Sequence, residues 1–172
     1  MTLSTPPAPQ PVTFGPVSAE EHTLRTRDDV PLVVTRLPAP ADSHATPAVL
    51  VHGSYTRRNF WVSPKGLGLG PHLQQRGYDV WIPELRGHGR SPKTQRFASF
   101  TAEDHMRYDL PAVQRLVRDQ TGARAFFVGH SAGGLFCYGS LAAGWLSADL
   151  PGLVVLGAQV SRGDPILKVP PV

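Results

Sequence analysis

Continuous apolar runs are the strongest pattern along the chain. Four of them are separated by polar and glycine-rich stretches, at residues 48–51, 78–83, 125–128 and 153–158, and the second is interrupted by Asp79. Short runs without polar alternation are typical of strands buried on both faces of a parallel sheet. We therefore predict four such strands, spread over most of the chain.

Helices are predicted between these runs. The clearest one precedes the third run and has apolar residues at spacings of four, three and four: Met106, Leu110, Val113 and Val117. Thr101 is placed to cap its start, and Pro111 should kink it rather than end it, because the apolar stripe continues. Shorter helices are predicted at 71–76 and from 132 to about 145. Alternating strands and helices predict an α/β fold with a mostly parallel sheet and flanking helices.

The N-terminal part of the chain is rich in proline. Residues 1–17 contain five prolines, which disfavour helix and sheet interiors, so we predict a flexible leader before a partial domain at 18–172. Residues 22–27 and 30–37 then predict two strands around a turn. Pro31 at the start of the second strand suggests an edge position.

Composition narrows the possible functions. The 172 residues carry a net charge of +4, but the arginines are scattered and form no nucleic-acid motif. No apolar run approaches the length of a membrane span. A single cysteine, Cys137, excludes an internal disulfide and fits a cytoplasmic protein. No histidine pair has metal-ligand spacing and no nucleotide-binding loop is complete, so we predict neither metal nor other cofactor.

The candidate chemistry lies after the third run, at Gly129-His130-Ser131-Ala132-Gly133. A strand, a sharp turn and a helix in that order are the expected setting of a G-x-S-x-G nucleophile elbow. The glycines leave room for a tight turn, and the helix N-terminus favours developing negative charge. We predict that Ser131 is a nucleophile with an unusual backbone conformation.

Two further segments follow predicted strands: His52-Gly53-Ser54 and Arg86-Gly87-His88-Gly89-Arg90-Ser91. The carboxyl ends of parallel strands share one rim, so both should lie near Ser131. These three segments, in this order, resemble the α/β-hydrolase superfamily over about residues 20–160. Residues 77–81 and 108–112 also look like the acid-lipase branch.

This resemblance implies a serine hydrolase that acts on a carboxylic ester or related acyl bond. Ser131 would be the nucleophile, and the backbone N–H groups of Ser54 and Ala132 would form the oxyanion hole. Four residues are candidates for lining a substrate pocket: His52, Tyr55, Phe60 and Trp61. Asp164, after the last run, is a weak candidate for the triad acid.

The chain departs from the family pattern after Ser131. In that fold the acid and the histidine follow the serine, yet all seven histidines precede it here. The sequence thus resembles the N-terminal part of a hydrolase without its last two strand-helix units. The alternative is a catalytically silent fragment or subunit that binds a ligand or a complementary chain. The apolar run at 153–158 would then offer an edge for a complementary C-terminal half or for self-association.

Overall fold

One mixed sheet organises the computed structural model, which describes residues 7–159. Its strands in that part of the chain are β1 (Gln10–Phe14), β2 (Val17–Arg25), β3 (Pro31–Leu37), β4 (Thr46–Val51), β5 (Tyr78–Glu84), β6 (Phe126–His130) and β7 (Leu153–Leu156). Their spatial order is β1-β2-β3-β5-β4-β6-β7. The steps from β1 to β5 are antiparallel, and those among β5, β4, β6 and β7 are parallel. The predicted α/β class is confirmed.

The helices cover both faces of this sheet. They are α1 (Leu69–Gln75), α2 (Ala102–Asp104), α3 (Leu110–Thr121) and α4 (Ala132–Ala142), with a π turn at His105–Asp109 joining α2 to α3. Across the sheet, the connection from β4 to β5 runs in one direction, and the connections from β5 to β6 and from β6 to β7 run in the opposite direction. Right-handed crossovers therefore put α1 on one face and α2, α3 and α4 on the opposite face.

The predicted long helix forms as a continuous unit. Thr101 and Asp104 make a reciprocal capping box at its start. The backbone remains helical through Pro111, directly after the π turn. A π turn loosens the regular hydrogen-bond ladder, which makes it a suitable place for a proline that cannot donate.

Side chains along the parallel strands alternate between two cores. On β4, Val49 and Val51 pack under α3 and α4, whereas Leu50 packs on the α1 side. On β5, Trp81 joins the first core and Ile82 the second. Both faces of these strands are buried, which explains their continuous apolar sequence.

Two predictions for the N-terminal part are wrong. Residues 10–14, placed in the flexible leader, form β1, and Phe14 at its end is buried. Pro11 is tolerated because β1 is an edge strand of the described sheet. Pro31 does not mark an edge, since β3 lies between β2 and β5. It is the first residue of its strand, a position that also tolerates proline. Residues 1–6 lie outside the described part.

The opposite edge of the described sheet is β7, at the predicted last strand. Its side chains are partly exposed, with Val154 at 47% and Leu156 at 41%.

Among residues 7–159, no helix combines the length and apolar character that crossing a membrane requires.

Candidate active site

Ser131 sits at the apex of the turn between β6 and α4. Its backbone has φ 52° and ψ −123°, which confirms the predicted unusual conformation. Its N–H donates to the Leu156 carbonyl at 2.9 Å, and its own carbonyl accepts from the Leu135 N–H at 3.1 Å. These bonds fix the turn between strand and helix, and the side chain is half-buried.

The glycines on either side of Ser131 permit this turn. A Cβ on Gly129 would lie 2.5 Å from Gly134 Cα, and one on Gly133 would lie 2.4 Å from the His52 carbonyl oxygen. Both contacts are with backbone, which cannot rotate away as a flexible side chain could. Glycine is therefore required at these positions for α4 to approach β4 and β6.

The segment after β4 approaches Ser131 directly. A Cβ on Gly53 would lie 3.0 Å from Ser131 Cβ, so the His52-Gly53-Ser54 segment borders the elbow, as predicted. Ala132 is the first residue of α4, where the helix offers its N–H no acceptor. Within residues 7–159, neither the Ser54 nor the Ala132 N–H donates to a turn or loop carbonyl. Within the described part of the chain, neither of these two N–H groups therefore has an acceptor, and their role in an oxyanion hole stays a prediction.

His52 does not line a pocket, and that prediction is wrong. Its ring is fully buried, with Nε2 accepting from the Leu85 N–H at 3.2 Å and Nδ1 donating to the Gly53 carbonyl at 2.8 Å. Burial lowers the pKa of His52 to about 4. A neutral ring with both nitrogens engaged braces the oxyanion segment and cannot act as the base.

The three aromatic pocket candidates lie in different environments. Trp61 is only 2% exposed and belongs to the α1-side core, so its assignment to the pocket is wrong. Tyr55 is fully exposed to solvent. Phe60 is 45% exposed and stacks on His130 with ring centroids 4.2 Å apart. Phe60 is therefore the aromatic candidate that reaches the elbow.

A buried carboxylate that the sequence pattern did not reveal joins two rim loops. Glu84, at the end of β5, accepts from the Arg58 N–H at 3.3 Å and from the Arg90 N–H at 2.8 Å. A Cβ on Gly89 would collide with this carboxylate, at 1.8 Å from Oε1. An acidic residue ending an apolar strand, before a glycine-bracketed loop, is the signal that could have identified it.

Arg86 forms a second buried anchor of the rim. Its guanidinium donates to Asp109 at 2.8 Å and to both oxygens of Asp28 at 2.9 Å. Asp109 also accepts from the Arg86 N–H and faces His105 Nδ1 at 3.1 Å. The side chains of Arg86 and Asp109 are fully buried. This network ties the loop after β5 to the β2–β3 turn and to the π turn.

A general base is missing from the described residues. No hydrogen bond of the Ser131 side chain occurs among residues 7–159. His130, the neighbour of Ser131 in sequence, stacks on Phe60, and its buried Nδ1 has no hydrogen-bond partner among those residues. Two other histidines near the rim have partners of their own. His88 Nδ1 contacts the Arg86 carbonyl at 3.0 Å, and His105 pairs with Asp109. Asp149 is exposed and pairs with Arg118 and Arg124. Asp164 lies outside the described residues, where the structure cannot test it.

The site therefore brings together a serine hydroxyl on a left-handed turn and two neighbouring backbone N–H groups. Over the described range, no cluster of three histidine, cysteine, aspartate or glutamate side chains could hold a metal ion. The buried Cys137 thiol has its pKa raised to about 12 by burial, which makes it unreactive.

Comparison with known proteins identifies the family to which this fold belongs. A family model described as alpha/beta hydrolase fold matches residues 46–139. Human lipase member K is 32% identical over 128 residues, covering 66% of this chain and 32% of the lipase. A tear acid lipase-like protein of Mesocricetus auratus is 28% identical over 158 residues, covering 84% of this chain and 40% of that protein.

A solved structure gives the same result for the fold. The Pyrococcus furiosus esterase PF2001 superposes with a TM-score of 0.66 at 20% identity, covering 89% of this chain and 55% of the esterase. The chain thus spans about a third to two fifths of the two lipase relatives and about half of this esterase.

Proposed function

The chain belongs to the α/β-hydrolase family, and from that premise we propose that it carries the nucleophile of a serine hydrolase acting on carboxylic esters. The observation that carries the proposal is the backbone of Ser131, held at φ 52° between β6 and α4. Strain of this kind persists where surrounding structure enforces it, and it is concentrated at functional sites. The lipases among its relatives support an ester as the substrate class.

In this proposal, Ser131 Oγ attacks the acyl carbon and the carbonyl oxygen becomes an oxyanion. The N–H groups of Ser54 and Ala132 donate to that oxyanion, because they border the elbow and have no described acceptor. The serine proton needs a histidine base, which in this family is oriented by an acid. Both would come from residues beyond the described ones. The small-molecule substrate would approach over the exposed face of Phe60.

The second candidate is a catalytically silent chain that binds a ligand or a complementary chain. Two observations favour it: among the described residues, no histidine is hydrogen-bonded to the Ser131 hydroxyl, and the apolar side chains of β7 are partly exposed. A serine hydroxyl without a base is a poor nucleophile at neutral pH. The two candidates agree on the architecture of the elbow and differ in whether a base completes it.

Ester turnover with and without a completing segment separates the candidates. The 172-residue chain alone should hydrolyse p-nitrophenyl butyrate at near-background rates, with no difference between the parent and Ser131→Ala. The same chain, joined after residue 159 to the C-terminal part of the Pyrococcus esterase, should show turnover. Ser131→Ala should abolish it, whereas Ser99→Ala, at an exposed serine, should leave it unchanged.

Circular dichroism checks that each protein is folded before rates are compared. A folded chimera whose turnover survives Ser131→Ala contradicts the nucleophile assignment. A folded chimera with no turnover favours the silent candidate. Robust Ser131-dependent turnover by the chain alone would show that a base is already present.

A further inference from the structure

A cavity of about 570 Å³ lies on the α2–α4 side of the molecule and does not include Ser131. It is open to solvent on one side and is bordered by the β2–β3 turn, the end of the π turn, the start of α3 and the turn after α4. Its principal lining residues are Arg27, Asp28, Arg107, Tyr108, Arg115 and Trp145. This volume falls within the range typical of small-molecule sites.

The charge of this cavity is strongly unbalanced. Three guanidinium groups line it against one carboxylate, and both oxygens of that carboxylate, Asp28, already accept from buried Arg86 at 2.9 Å. Across residues 7–159, Arg27 and Arg115 form no ion pair, unlike Arg118 one turn along α3, which pairs with Asp149. Among the described residues, Arg27 and Arg115 therefore give the cavity positive charge that no ion pair neutralises.

The third arginine is held in place by aromatic rings. Arg107 lies over Tyr108 at 5.5 Å and over Trp145 at 5.8 Å, distances at which cation–π attraction operates. Its contact with Glu103 at 3.3 Å is an exposed pair, and such pairs are weak. A guanidinium positioned before a ligand arrives loses less conformational entropy on binding.

A smaller arginine-lined cavity shows why this one is distinctive. Besides Arg57, which forms no ion pair among residues 7–159, the second cavity, of about 380 Å³, includes Arg58 and Arg90. Both of those arginines pair with Glu21, and their backbone N–H groups are bound by Glu84. The charges of Arg58 and Arg90 are therefore balanced by carboxylates of the fold, whereas Arg27 and Arg115 have no ion-pair partner in the described structure.

We propose that the larger cavity binds a phosphate-bearing small molecule through Arg27, Arg107 and Arg115. Guanidinium groups match phosphate oxygens with paired, charge-assisted hydrogen bonds. Three of them around one cavity suit an anion with two or more charges better than a single carboxylate. The phosphate could belong to a soluble ester or to a lipid headgroup. This site goes beyond the proposed ester hydrolysis, and its test does not involve Ser131.

Calorimetric titration with inorganic pyrophosphate at low ionic strength tests the proposal on the full chain. We expect saturable binding of one pyrophosphate per chain. Arg27→Ala and Arg115→Ala should each weaken it tenfold or more, because each removes charge-assisted hydrogen bonds. Arg118→Ala is the matched control and should leave the affinity unchanged. Thermal unfolding of each variant verifies that the chain stays folded.

Absence of saturable binding up to about 10 mM pyrophosphate, a concentration that corresponds to very weak affinity, would overturn the proposal. Equal weakening by Arg118→Ala would overturn it as well, because it would indicate diffuse surface charge. Sedimentation with phosphatidic acid vesicles distinguishes the source of the phosphate. Vesicle binding that depends on Arg27 and Arg115 supports a lipid headgroup, and pyrophosphate binding without vesicle binding supports a soluble ester.

Discussion

The Arg86–Asp109 pair allows the sharpest stability prediction. Asp109→Asn keeps the size of the side chain but replaces its carboxylate by an amide. The carboxylate accepts hydrogen bonds from the Arg86 guanidinium at 2.8 Å and from the Arg86 N–H at 3.0 Å, and it also faces His105. The new amide turns a donor toward these groups. Since both side chains of the pair are fully buried, water cannot replace the lost acceptor.

The expected loss of unfolding free energy follows from the burial of the pair and from Asp28, the second partner of Arg86. Removing one member of a buried ion pair costs about 3–5 kcal/mol. Arg86 keeps its two bonds to Asp28, so the expected loss is at the lower end, about 3 kcal/mol. With a urea dependence of about 2 kcal/mol per molar, the unfolding midpoint should fall by about 1.5 M.

Asp149→Asn is the matched control. Asp149 also bridges two arginine contacts, Arg118 and Arg124 at 3.0 Å each, but this cluster is exposed. Exposed pairs contribute little, so the midpoint should hardly move. Urea unfolding followed by far-ultraviolet circular dichroism measures both variants. Equal shifts for Asp109→Asn and Asp149→Asn would refute the argument that burial makes the Arg86 network stabilising.

Three further predictions follow from the packing. Gly133→Ala should lower the free energy of unfolding by about 1–3 kcal/mol, because its Cβ meets backbone at 2.4 Å, whereas Gly152→Ala enters open space and should be neutral in the same urea assay. The pKa of His52 is about 4 when folded and 6.5 when unfolded. The unfolded state therefore binds more protons between these values, and stability should fall by about 3 kcal/mol as the pH drops from 6.5 to 4; a profile unchanged in His52→Gln would contradict this. We also propose that the β7 edge drives association, so light scattering should show dimers or larger species. The double substitution Val154→Lys and Leu156→Lys should reduce these species. A monodisperse parent chain would count against the proposal.

Local signals explain which parts of the fold could be predicted from the sequence. The elbow depends on an apolar strand, closely placed glycines and a following helix, all within a dozen residues, and Ser131 was found from them. The buried strands were recognised because burial on both faces leaves a continuous apolar run. Such patterns need no knowledge of distant partners.

The missed features depend on long-range packing. Trp61 and His52 were assigned to a pocket because they lie near the rim in sequence, but whether a side chain points to solvent or to the core is decided by neighbouring segments. The partners Arg86 and Asp28 are 58 residues apart, so no local pattern connects them. β1 was missed because its proline excludes a central strand but not an edge strand.

Covalent trapping of the nucleophile tests the central claim most directly. The purified chain is incubated with a p-nitrophenyl phosphonate, with imidazole added as an external base, and the adduct is mapped by tandem mass spectrometry. The elbow and the N–H groups of Ser54 and Ala132, for which residues 7–159 provide no acceptor, predict a single adduct on Ser131. Ser131→Ala should eliminate this adduct without a new site replacing it. An adduct spread over exposed serines such as Ser99, or one that persists in Ser131→Ala, would contradict the assignment of Ser131 as the nucleophile.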